Sequence, residues 1–487
     1  MAKPVVFIPG LPGSHLLDEV SRKRLFLDVP DSFDSPNLER LRGPDILNSS
    51  DGVTAGAPVG EIEVTGALGQ VLAFFVDLKR AASFYDLLRP LYSPGDFADH
   101  SVRFGWDWRR PVWDPITQDA LARAILVLRA RLGPVVVVAH STGGLVLRHL
   151  LEDDTQPLHD PVLAAIDHII AFGVPWAGTL KSFETLTGQR GLSGLLTPSA
   201  AREVLGRSWA AFDLLPPDPA EIAAPPLVVE ITPAGRVAVS PLLDRRWLPA
   251  GDEAQDLRTA MGQRADGTLA GLGQPAAAIH YDGPPIGLTN VVGWGFETTL
   301  LATLTPVGEG VEVGFVSDAA KAGLDPTDDG DGTVPRRSAA WLEGPEVSTF
   351  HVPIGRGVGG VQQHITLWGN AGGRNLLRHH VAGTPMEPFV YATVDRSDGV
   401  SGGDRVQVRC AANDSHGALL DGASARFTDP ATGEQSFDPG LDGRLLLEIP
   451  RQDLRPVSNQ LRRLEIEISW RQGAAVRRRR FGFFVAR

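Results

Sequence analysis

The sequence has little cysteine, no long apolar run and no excess of positive charge. Its 487 residues include a single cysteine, Cys410, so an intrachain disulfide cannot form and the fold needs no oxidising compartment. The formal net charge of −12 repels a phosphate backbone, which argues against nucleic-acid binding. Apolar runs stay well below the about 20 residues of a spanning helix, so any membrane contact is expected to be peripheral.

The beginning of the sequence also lacks the pattern of a targeting segment. The apolar run Val5–Ile8 is too short for the core of a secretion signal, and Pro9 and Gly10 follow it at once. We expect this run to be a first β-strand. Together with the single cysteine, it predicts a cytoplasmic protein.

Short apolar runs alternate with helical patterns over most of the chain. Several of these runs are rich in β-branched residues and are bounded by Gly or Pro, which suits strands that are buried on both faces. They lie at residues 5–8, 135–139, 169–172 and 227–231. The alternation predicts an α/β fold with a mainly parallel sheet.

The length of the chain predicts one large domain and a smaller one. Residues 1–385 are predicted as one large α/β domain. Three stretches do not fit a simple alternation of strands and helices, and we expect them to form a cap or lid over one end of the sheet. These insertions lie at about 30–70, 182–215 and 232–310.

From about residue 386 helical periodicity gives way to short alternating runs, so residues 386–487 are predicted as an all-β sandwich domain. Its last part, residues 451–487, holds ten arginines against three acidic residues. The run 477–480 is either a solvated sheet edge that discourages further strand pairing or a contact for an anionic membrane surface.

Ser141 lies in a segment with the pattern of a buried strand, a tight turn of small residues and a helix. A serine at such a nucleophile elbow has a strained backbone, so the residues two positions before and after it must be small. Ala139 and Gly143 meet this requirement. We predict Ser141 as a nucleophile, which needs a histidine to take its proton and a carboxylate to orient that histidine.

The acid is expected in the segment 325–335. A Gly-Asp-Gly turn there lets the carboxylate of Asp331 project while backbone N–H groups keep it ionised. A calcium-binding loop is the rival interpretation, but its twelfth position is Arg336 instead of a bidentate glutamate. The neighbouring Asp328 and Asp329 are expected to be solvated loop acids.

The base is predicted as His364, because it follows the last expected strand, at residues 347–353, and a glycine-rich loop. His351 alternates within that strand and is the second candidate. The pair His379 and His380 falls in the last turn of a helix, where positive charge suits the helix dipole.

The glycine-rich loop at residues 355–360 matches the dinucleotide fingerprint letter for letter. No acidic residue follows about twenty positions later, as that fingerprint requires. We therefore predict a loop that positions His364, and neither a cofactor nor a metal ion.

Two backbone N–H groups are needed to stabilise the oxyanion of the reaction. Thr142 directly follows the predicted nucleophile, and Leu11 lies in the turn after the first strand. We predict these two residues as the donors. The alternative for the turn at residues 9–14 is an ordinary end of a strand.

Five segments together resemble the lecithin:cholesterol acyltransferase family, which includes lysosomal phospholipases and diacylglycerol acyltransferases of the α/β-hydrolase fold. The segments are residues 4–10, 105–109, 139–144, 173–179 and 330–334 with His364. The resemblance implies an α/β-hydrolase domain at residues 1–385. It also implies a triad of Ser141, Asp331 and His364, with Leu11 and Thr142 as the oxyanion donors. It agrees with the choice made from the residues alone.

The resemblance also implies roles for residues around the triad. Asp107 and Arg109 are expected to form a structural ion pair behind the site. Trp176 either lines the acyl pocket or is a core tryptophan. Residues 182–215 lie where the family has a lid, whose apolar side chains either touch a lipid surface or belong to a packed cap helix. The side chains in question are Leu192, Leu195 and Leu196.

These features predict a metal-independent serine hydrolase that acts on lipid esters, phospholipid or glycerolipid, through an acyl-enzyme. An acyltransferase that passes the acyl group to a lipid alcohol is the first alternative. A lipid-binding or partner-binding regulatory protein and a peptidase with the same triad are further alternatives. The sequence predicts no particular oligomeric state.

Overall fold

The structure is a computed structural model. It describes residues 2–11, 13–23, 25, 52–58, 84–191, 197–206, 208–217, 227–241, 244, 246–248, 286–324, 329–342, 344, 346–354, 356–357, 360–361, 364–369, 371–394, 405–429, 433–437, 443–450, 455–456 and 461–486. The strands are β1 Val5–Ile8, β2 Ser14–Asp18, β3 Val53–Pro58, β4 Ser101–Arg103, β5 Val135–His140, β6 Ile166–Phe172, β7 Val228–Thr232, β8 Gly235–Ala238, β9 Gly287–Trp294, β10 Leu301–Val307, β11 Gly310–Val316, β12 Val347–Pro353, β13 Arg356–Gly357, β14 Gly360–Val361, β15 Phe389–Val394, β16 Arg405–Asn413, β17 Ser424–Asp429, β18 Gly433–Phe437, β19 Arg444–Pro450, β20 Arg455–Pro456, β21 Leu461–Gln472 and β22 Ala475–Ala486. The α-helices are α1 Phe84–Leu88, α2 Asp96–His100, α3 Pro115–Leu132, α4 Thr142–Glu152, α5 His159–Ala165, α6 Leu180–Leu186, α7 Pro198–Leu205, α8 Trp209–Asp213, α9 Ala319–Ala322, α10 Arg336–Ala339 and α11 Ala371–Ala382, and 3-10 helices lie at Arg89–Leu91 and His364–Gly369.

Within the described residues, six strands form one sheet in the order β12-β9-β6-β5-β1-β4. Every neighbouring pair in this sheet is parallel. All side chains of the central strand β5 are buried, as expected for a strand that is covered on both faces. Helix α3 connects β4 to β5, and helices α4 and α5 lie between β5 and β6. The predicted α/β-hydrolase fold with a parallel sheet is therefore confirmed.

The carboxyl ends of the central strands meet at one edge of this sheet. The register places Ile8 beside Ala139, Ala139 beside Ala171, and Ala171 beside Asn290. The loops that follow these four strands therefore begin next to one another. In open parallel sheets, ligands bind at this edge.

Two expectations about the sheets are wrong. Residues 227–231 do not join the main sheet, because they form β7 in a second sheet of order β11-β10-β7-β8. The expected insertion at 232–310 contains β9, which pairs with β6 and β12 inside the main sheet. Periodicity alone does not say which sheet a short buried strand joins. In β9 the apolar pattern is also broken by Asn290, whose amide nitrogen donates to the Ala339 carbonyl at 2.8 Å.

The cap expected at residues 182–215 carries the end of α6 together with α7 and α8. Phe183 of α6 packs edge-to-face on Trp247 and Phe315, so the second sheet lies against this helix. Of the insertion expected at residues 30–70, the structure describes 52–58, which includes β3 paired with β2. In the described ranges, no helix combines the length and the hydropathy needed to cross a bilayer.

The C-terminal residues form two antiparallel sheets. One has the order β15-β16-β19, and the other is built from β17, β18, β20, β21 and β22. They share an apolar core, to which Val408 and Leu447 contribute from the first sheet and Phe427 and Ile466 from the second. The all-β sandwich is confirmed, while its boundary at residue 386 stays a prediction.

The arginines of β22 are engaged in contacts within the sandwich. Arg478 and Arg480 both contact Glu467 of β21, at 3.6 and 2.7 Å, and Arg479 lies over the ring of Tyr391. These contacts favour the interpretation of the run 477–480 as a solvated sheet edge.

His380 does not have the positive charge expected at the end of α11. Its ring stacks on that of His168, with the centroids 3.7 Å apart, and both rings contact the hydroxyl of Thr289. Burial and the neighbouring His168 lower the pKa of His380 to about 2, and burial lowers that of His168 to about 4. Both rings are therefore neutral near pH 7.

Close packing at the start of α4 gives a first testable prediction. A Cβ at Gly143 would lie 2.5 Å from the carbonyl oxygen of Ile8 and 2.6 Å from that of Pro9. Both are backbone atoms, so Gly143→Ala must push α4 away from β1. We expect a loss of about 1–3 kcal/mol in the free energy of unfolding, measured by denaturant titration.

Gly482→Ala is the matched control, because no heavy atom lies within 4 Å of a Cβ at this exposed position of β22. Its free energy of unfolding should stay within about 0.5 kcal/mol of the parent value. Equal stability of the two variants would contradict the proposed close approach of α4 and β1.

Candidate active site

Ser141 lies between β5 and α4 with a φ of 52° and a ψ of −130°. Few residues other than glycine adopt a positive φ, and such a strained turn is what a nucleophile elbow requires. The Ser141 N–H donates to the carbonyl of Phe172 at 3.0 Å, and the Ser141 carbonyl accepts from Gly144 at 2.9 Å. The strand, turn and helix that the sequence predicts around Ser141 are all present.

The structure joins two of the predicted site residues directly. Nδ1 of His364 lies 2.6 Å from Oδ2 of Asp331, and both side chains are almost fully buried. The backbone N–H of His364 also donates to the carbonyl of Asp331 at 2.9 Å. When Nδ1–H donates to the carboxylate, the tautomer is fixed and Nε2 is left to accept a proton.

The second carboxylate oxygen of Asp331 is held by its own turn. Oδ1 accepts the backbone N–H of Thr333 at 3.0 Å and that of Val334 at 2.8 Å, as expected for a Gly-Asp-Gly turn. On the other side lies Gly173, with a φ of 56°. A Cβ there would lie 2.9 Å from both Asp331 Oδ2 and His364 Nδ1, so a glycine is required beside the pair.

Ser141 lies in a loop next to the Asp331–His364 pair. The ring of His140, the residue before Ser141, lies 4.7 Å from the ring of His364. Nε2 of His364 is buried and has no hydrogen-bond partner among the described residues. The Ser141 hydroxyl faces Gly10, since a Cβ there would lie 3.1 Å from Oγ. Proton transfer from Ser141 to His364 stays a prediction.

His351, the second candidate for the base, lies within β12, in register with Val292 of β9. It is buried in the sheet, whereas Asp331 bonds to His364. The geometry thus favours the histidine that follows the strand over the one within it.

The two predicted oxyanion donors flank Ser141. Thr142 is the first residue of α4 and is fully buried, and Leu11 lies in a turn closed by a hydrogen bond from Gly13 N–H to the Gly10 carbonyl at 2.6 Å. The contact between Gly10 and Ser141 places this turn against the nucleophile candidate. Donation by Leu11 and Thr142 to a substrate oxygen remains a prediction.

The structure describes one of the four predicted substrate-binding residues, Trp176. Trp176 is buried in the main core, and its indole N–H donates to Asn290 Oδ1 at 3.1 Å. It also lines an apolar cavity of about 30 Å³ behind α4, together with Ala139 and Leu147. These contacts favour a core tryptophan. The three lid candidates, Leu192, Leu195 and Leu196, lie outside the described residues.

Comparison with known sequences tests the family resemblance. The sequence model of the lecithin:cholesterol acyltransferase family matches residues 46–224. The phosphatidylcholine-sterol acyltransferase of Mus musculus is 30% identical over 207 residues, and that of Homo sapiens is 28% identical over 199. Over these residues the chain is similar to the lecithin:cholesterol acyltransferase family. The alignments cover 38% and 37% of this chain, and the chain spans about half the length of these curated relatives, 46% and 44% respectively.

Two solved structures also align with this chain, at lower sequence identity. A Tle4-Tli4 complex aligns with a TM-score of 0.48 at 12% identity, covering 76% of this chain and 96% of that one. The Bacillus licheniformis lipase BlEst2 in its propeptide form aligns with a TM-score of 0.30 at 10% identity, covering 99% and 93%.

Of the five segments that carry the family resemblance, residues 105–109 support the turn that contains Leu11. The indole N–H of Trp106 donates to the Pro9 carbonyl at 2.9 Å, and that of Trp108 donates to the Ser14 carbonyl at 3.1 Å. Behind them, Arg109 and Asp107 form two buried hydrogen bonds, of 2.9 and 2.6 Å. The expected structural ion pair is confirmed.

Another of these segments, residues 173–179, contacts the loop at residues 329–335 from the other side. This loop contains Asp331 and is called the acid loop below. Ser338 of α10 accepts the Ala177 N–H at 3.2 Å and donates to the Gly178 carbonyl at 2.6 Å. The Thr179 hydroxyl donates to the carbonyl of Thr333, two residues after Asp331. This segment therefore fixes the distance between the end of β6 and the acid loop.

Lys181 adds a cation to this side of the loop. Its ammonium donates to the Thr333 hydroxyl at 2.9 Å. Burial, aided by the nearby Arg190, lowers the pKa of Lys181 to about 8. Sequence reasoning missed this residue, because nothing in its local pattern points to the acid loop.

His140 is a second site residue that the sequence reasoning missed. Its Nε2–H donates to the carbonyl of His364 at 3.0 Å, and its ring packs on Trp368 with the centroids 4.6 Å apart. Burial and the neighbouring His364 hold the pKa of His140 well below its ordinary value, so the ring is neutral. Its position directly before the nucleophile candidate is the sequence signal that could have identified it as a site residue.

The expectation that Asp329 is a solvated acid is wrong. Its Oδ1 accepts the backbone N–H of Gly295 at 2.7 Å, and its Oδ2 lies 3.9 Å from Nε of Arg409. Asp328 lies outside the described residues. Among the residues that are described, no group of three or more His, Cys, Asp or Glu side chains can hold a metal ion.

The Asp331–His364 pairing predicts a spectroscopic signature that does not depend on activity. A short hydrogen bond between a carboxylate and an imidazole N–H shifts that proton far downfield in the proton NMR spectrum. Asp331→Ala should remove this resonance, because it removes the acceptor, and His364→Ala should remove it as well.

His351→Ala is the control and should leave the resonance in place, because His351 lies in β12 and Asp331 bonds to His364. A resonance that survives in Asp331→Ala would contradict the pairing seen in the structure.

Proposed function

We propose that the chain is a serine hydrolase that cleaves or transfers the acyl chains of lipid esters. The observation that carries this proposal is the buried hydrogen bond between Asp331 and His364, at the same sheet edge as Ser141 in its strained elbow. The curated relatives are named for acyl transfer from phosphatidylcholine to a sterol, which supports a lipid ester as the substrate.

In the first half of the proposed reaction, Oγ of Ser141 attacks the ester carbonyl carbon while its proton passes to Nε2 of His364. Asp331 stays ionised and stabilises the imidazolium that forms. The N–H groups of Leu11 and Thr142 stabilise the oxyanion. The bond to the leaving alcohol then breaks, and His364 protonates the alcohol oxygen, which leaves the acyl group on Ser141.

In the second half, His364 takes a proton from an incoming hydroxyl group, whose oxygen attacks the acyl carbon. The bond to Oγ of Ser141 then breaks, and His364 returns the proton to that oxygen. Water as the nucleophile gives a fatty acid, and a lipid alcohol gives a new ester. The names of the relatives favour transfer, and both outcomes use the same residues.

The triad assignment predicts the effect of single substitutions on the turnover of a short-chain acyl ester. Ser141→Ala should lower kcat by about 10⁴-fold or more, because no nucleophile remains. Asp331→Asn should cost about 10⁴-fold through the wrong imidazole tautomer, and His364→Ala should cost at least as much. Steady-state kinetics measures all three.

His351→Ala is the matched control and should keep kcat close to the parent value. An inactive His351→Ala beside an active His364→Ala would transfer the role of base to His351. Full activity of Ser141→Ala would refute the nucleophile. If a fluorophosphonate probe fails to label Ser141 in the folded protein, the chain is a binding protein on a hydrolase fold instead.

The choice between hydrolysis and transfer predicts different products from phosphatidylcholine vesicles. With a sterol or diacylglycerol in the vesicles, an acyltransferase should form a new ester of that alcohol, and a hydrolase should release free fatty acid. Lipid mass spectrometry before and after incubation distinguishes the two, with Ser141→Ala as the blank. The absence of both products would contradict a phospholipid substrate.

A further inference from the structure

The C-terminal sandwich shares a core with the hydrolase sheet. Phe389 of β15 and Ala411 of β16 belong to the same buried cluster as Phe350 of β12 and Trp368. The rings of Phe350 and Phe389 lie 5.3 Å apart. Trp368 in turn packs on His140 beside the candidate base. The sandwich is thus packed directly behind the acid and base candidates.

One charged side chain of the sandwich is buried at this junction. Arg409 of β16 extends over Gly295, the residue after β9, where a Cβ would lie 2.2 Å from Cδ of Arg409. Its Nε reaches to 3.9 Å from Oδ2 of Asp329, and its Nη2 donates to the side chain of Gln407 at 3.1 Å. Only a glycine with positive φ leaves room for this arginine, and Gly295 has a φ of 98°.

Asp329 links this arginine to the acid loop. Its Oδ1 accepts the Gly295 N–H at 2.7 Å, and its carbonyl accepts the Arg336 N–H at 2.8 Å. The next residue, Gly330, bridges to Phe296, and Asp331 follows directly. The carboxylate of Asp329 therefore joins the end of β9 to the segment that presents Asp331.

The charge balance at Asp329 depends on arginines from several elements. Burial raises the pKa of Asp329 to about 7. Arg409 from β16, the Gly295 N–H, Arg444 from β19 and Arg336 from α10 oppose that rise. Arg409 is the largest of the three arginine contributions, so its loss would raise the pKa of Asp329 further.

We propose that Arg409 is a positioning residue of the active site, through which the C-terminal sandwich holds the Asp329 carboxylate and thereby the orientation of Asp331. The proposal rests on the hydrolase function proposed above. Arg409 touches neither the substrate nor the reacting atoms. It acts through Asp329. Through this contact the sandwich, which lies outside the five family-like segments, contributes to catalysis.

The test uses the full-length chain and a short-chain acyl ester. Arg409→Met should lower kcat about 10- to 100-fold at pH 7 and leave KM within about twofold, because a small displacement of Asp331 affects the chemical step. At pH 9 the loss should be smaller than at pH 7, since a larger fraction of Asp329 is then ionised without Arg409. Arg409→Lys, which keeps the charge, should restore much of the activity at pH 7.

Asp329→Asn provides a second route that does not depend on the folding of Arg409→Met. It should lower kcat to a similar extent at both pH values, because an amide does not ionise. When Arg409→Met and Asp329→Asn are combined in one double variant, their losses in kcat should not add, since the two residues act as a pair. Arg480→Met is the matched control, an arginine of the same sandwich that is exposed and paired with Glu467, and it should leave kcat unchanged.

Several outcomes would overturn the positioning role. These are an unchanged kcat in Arg409→Met, a loss that is the same at pH 7 and pH 9 in that variant, and additive losses in the double variant. Ser141→Ala in the same assay separates this question from the proposed function. If that variant stays active, the hydrolase mechanism fails whatever Arg409 does.

Discussion

The hydrogen bond between Asp331 and His364 is the interaction on which the rest of the site depends, and it is shielded from water. A buried carboxylate is costly unless its oxygens are bonded, and Asp331 accepts from the imidazole and from the N–H groups of Thr333 and Val334. The backbone of His364 is bonded to the same residue. The direction of Nε2 is therefore set by the acid loop, so any displacement of that loop moves the base as well.

The acid loop is fixed from both sides by groups distant in sequence. On one side, the segment after β6 contacts it through Thr179 and through Ser338 of α10. On the other side, Asp329 ties it to Gly295 at the end of β9, and Arg409 approaches from the sandwich. Between them, Gly173 provides the space for the Asp331–His364 pair. Such preorganisation lets a carboxylate and an imidazole hold one geometry without rearranging during a reaction.

Sequence patterns predicted the features that short segments encode. The elbow at Ser141, the Gly-Asp-Gly turn at Asp331 and the position of His364 after β12 each follow from a few neighbouring residues. The environment of Asp329 does not, because Gly295 and Arg409 lie 34 and 80 residues away. For the same reason, periodicity identified β7 as a buried strand and did not identify its sheet. Long-range packing decides the environment of Asp329 and the sheet that β7 joins, and a single sequence carries no local signal for such packing.

The junction between the hydrolase sheet and the sandwich also determines which experiments are informative. Phe389 and Ala411 bury part of the cluster that includes Phe350 and Trp368. Removing residues 386–487 would expose that cluster to water and leave Asp329 without Arg409. A truncated chain would lose activity through the exposed core alone, whatever the sandwich contributes to catalysis. Point substitutions at the junction keep the core covered, and they separate the charge of Arg409 from the packing around it.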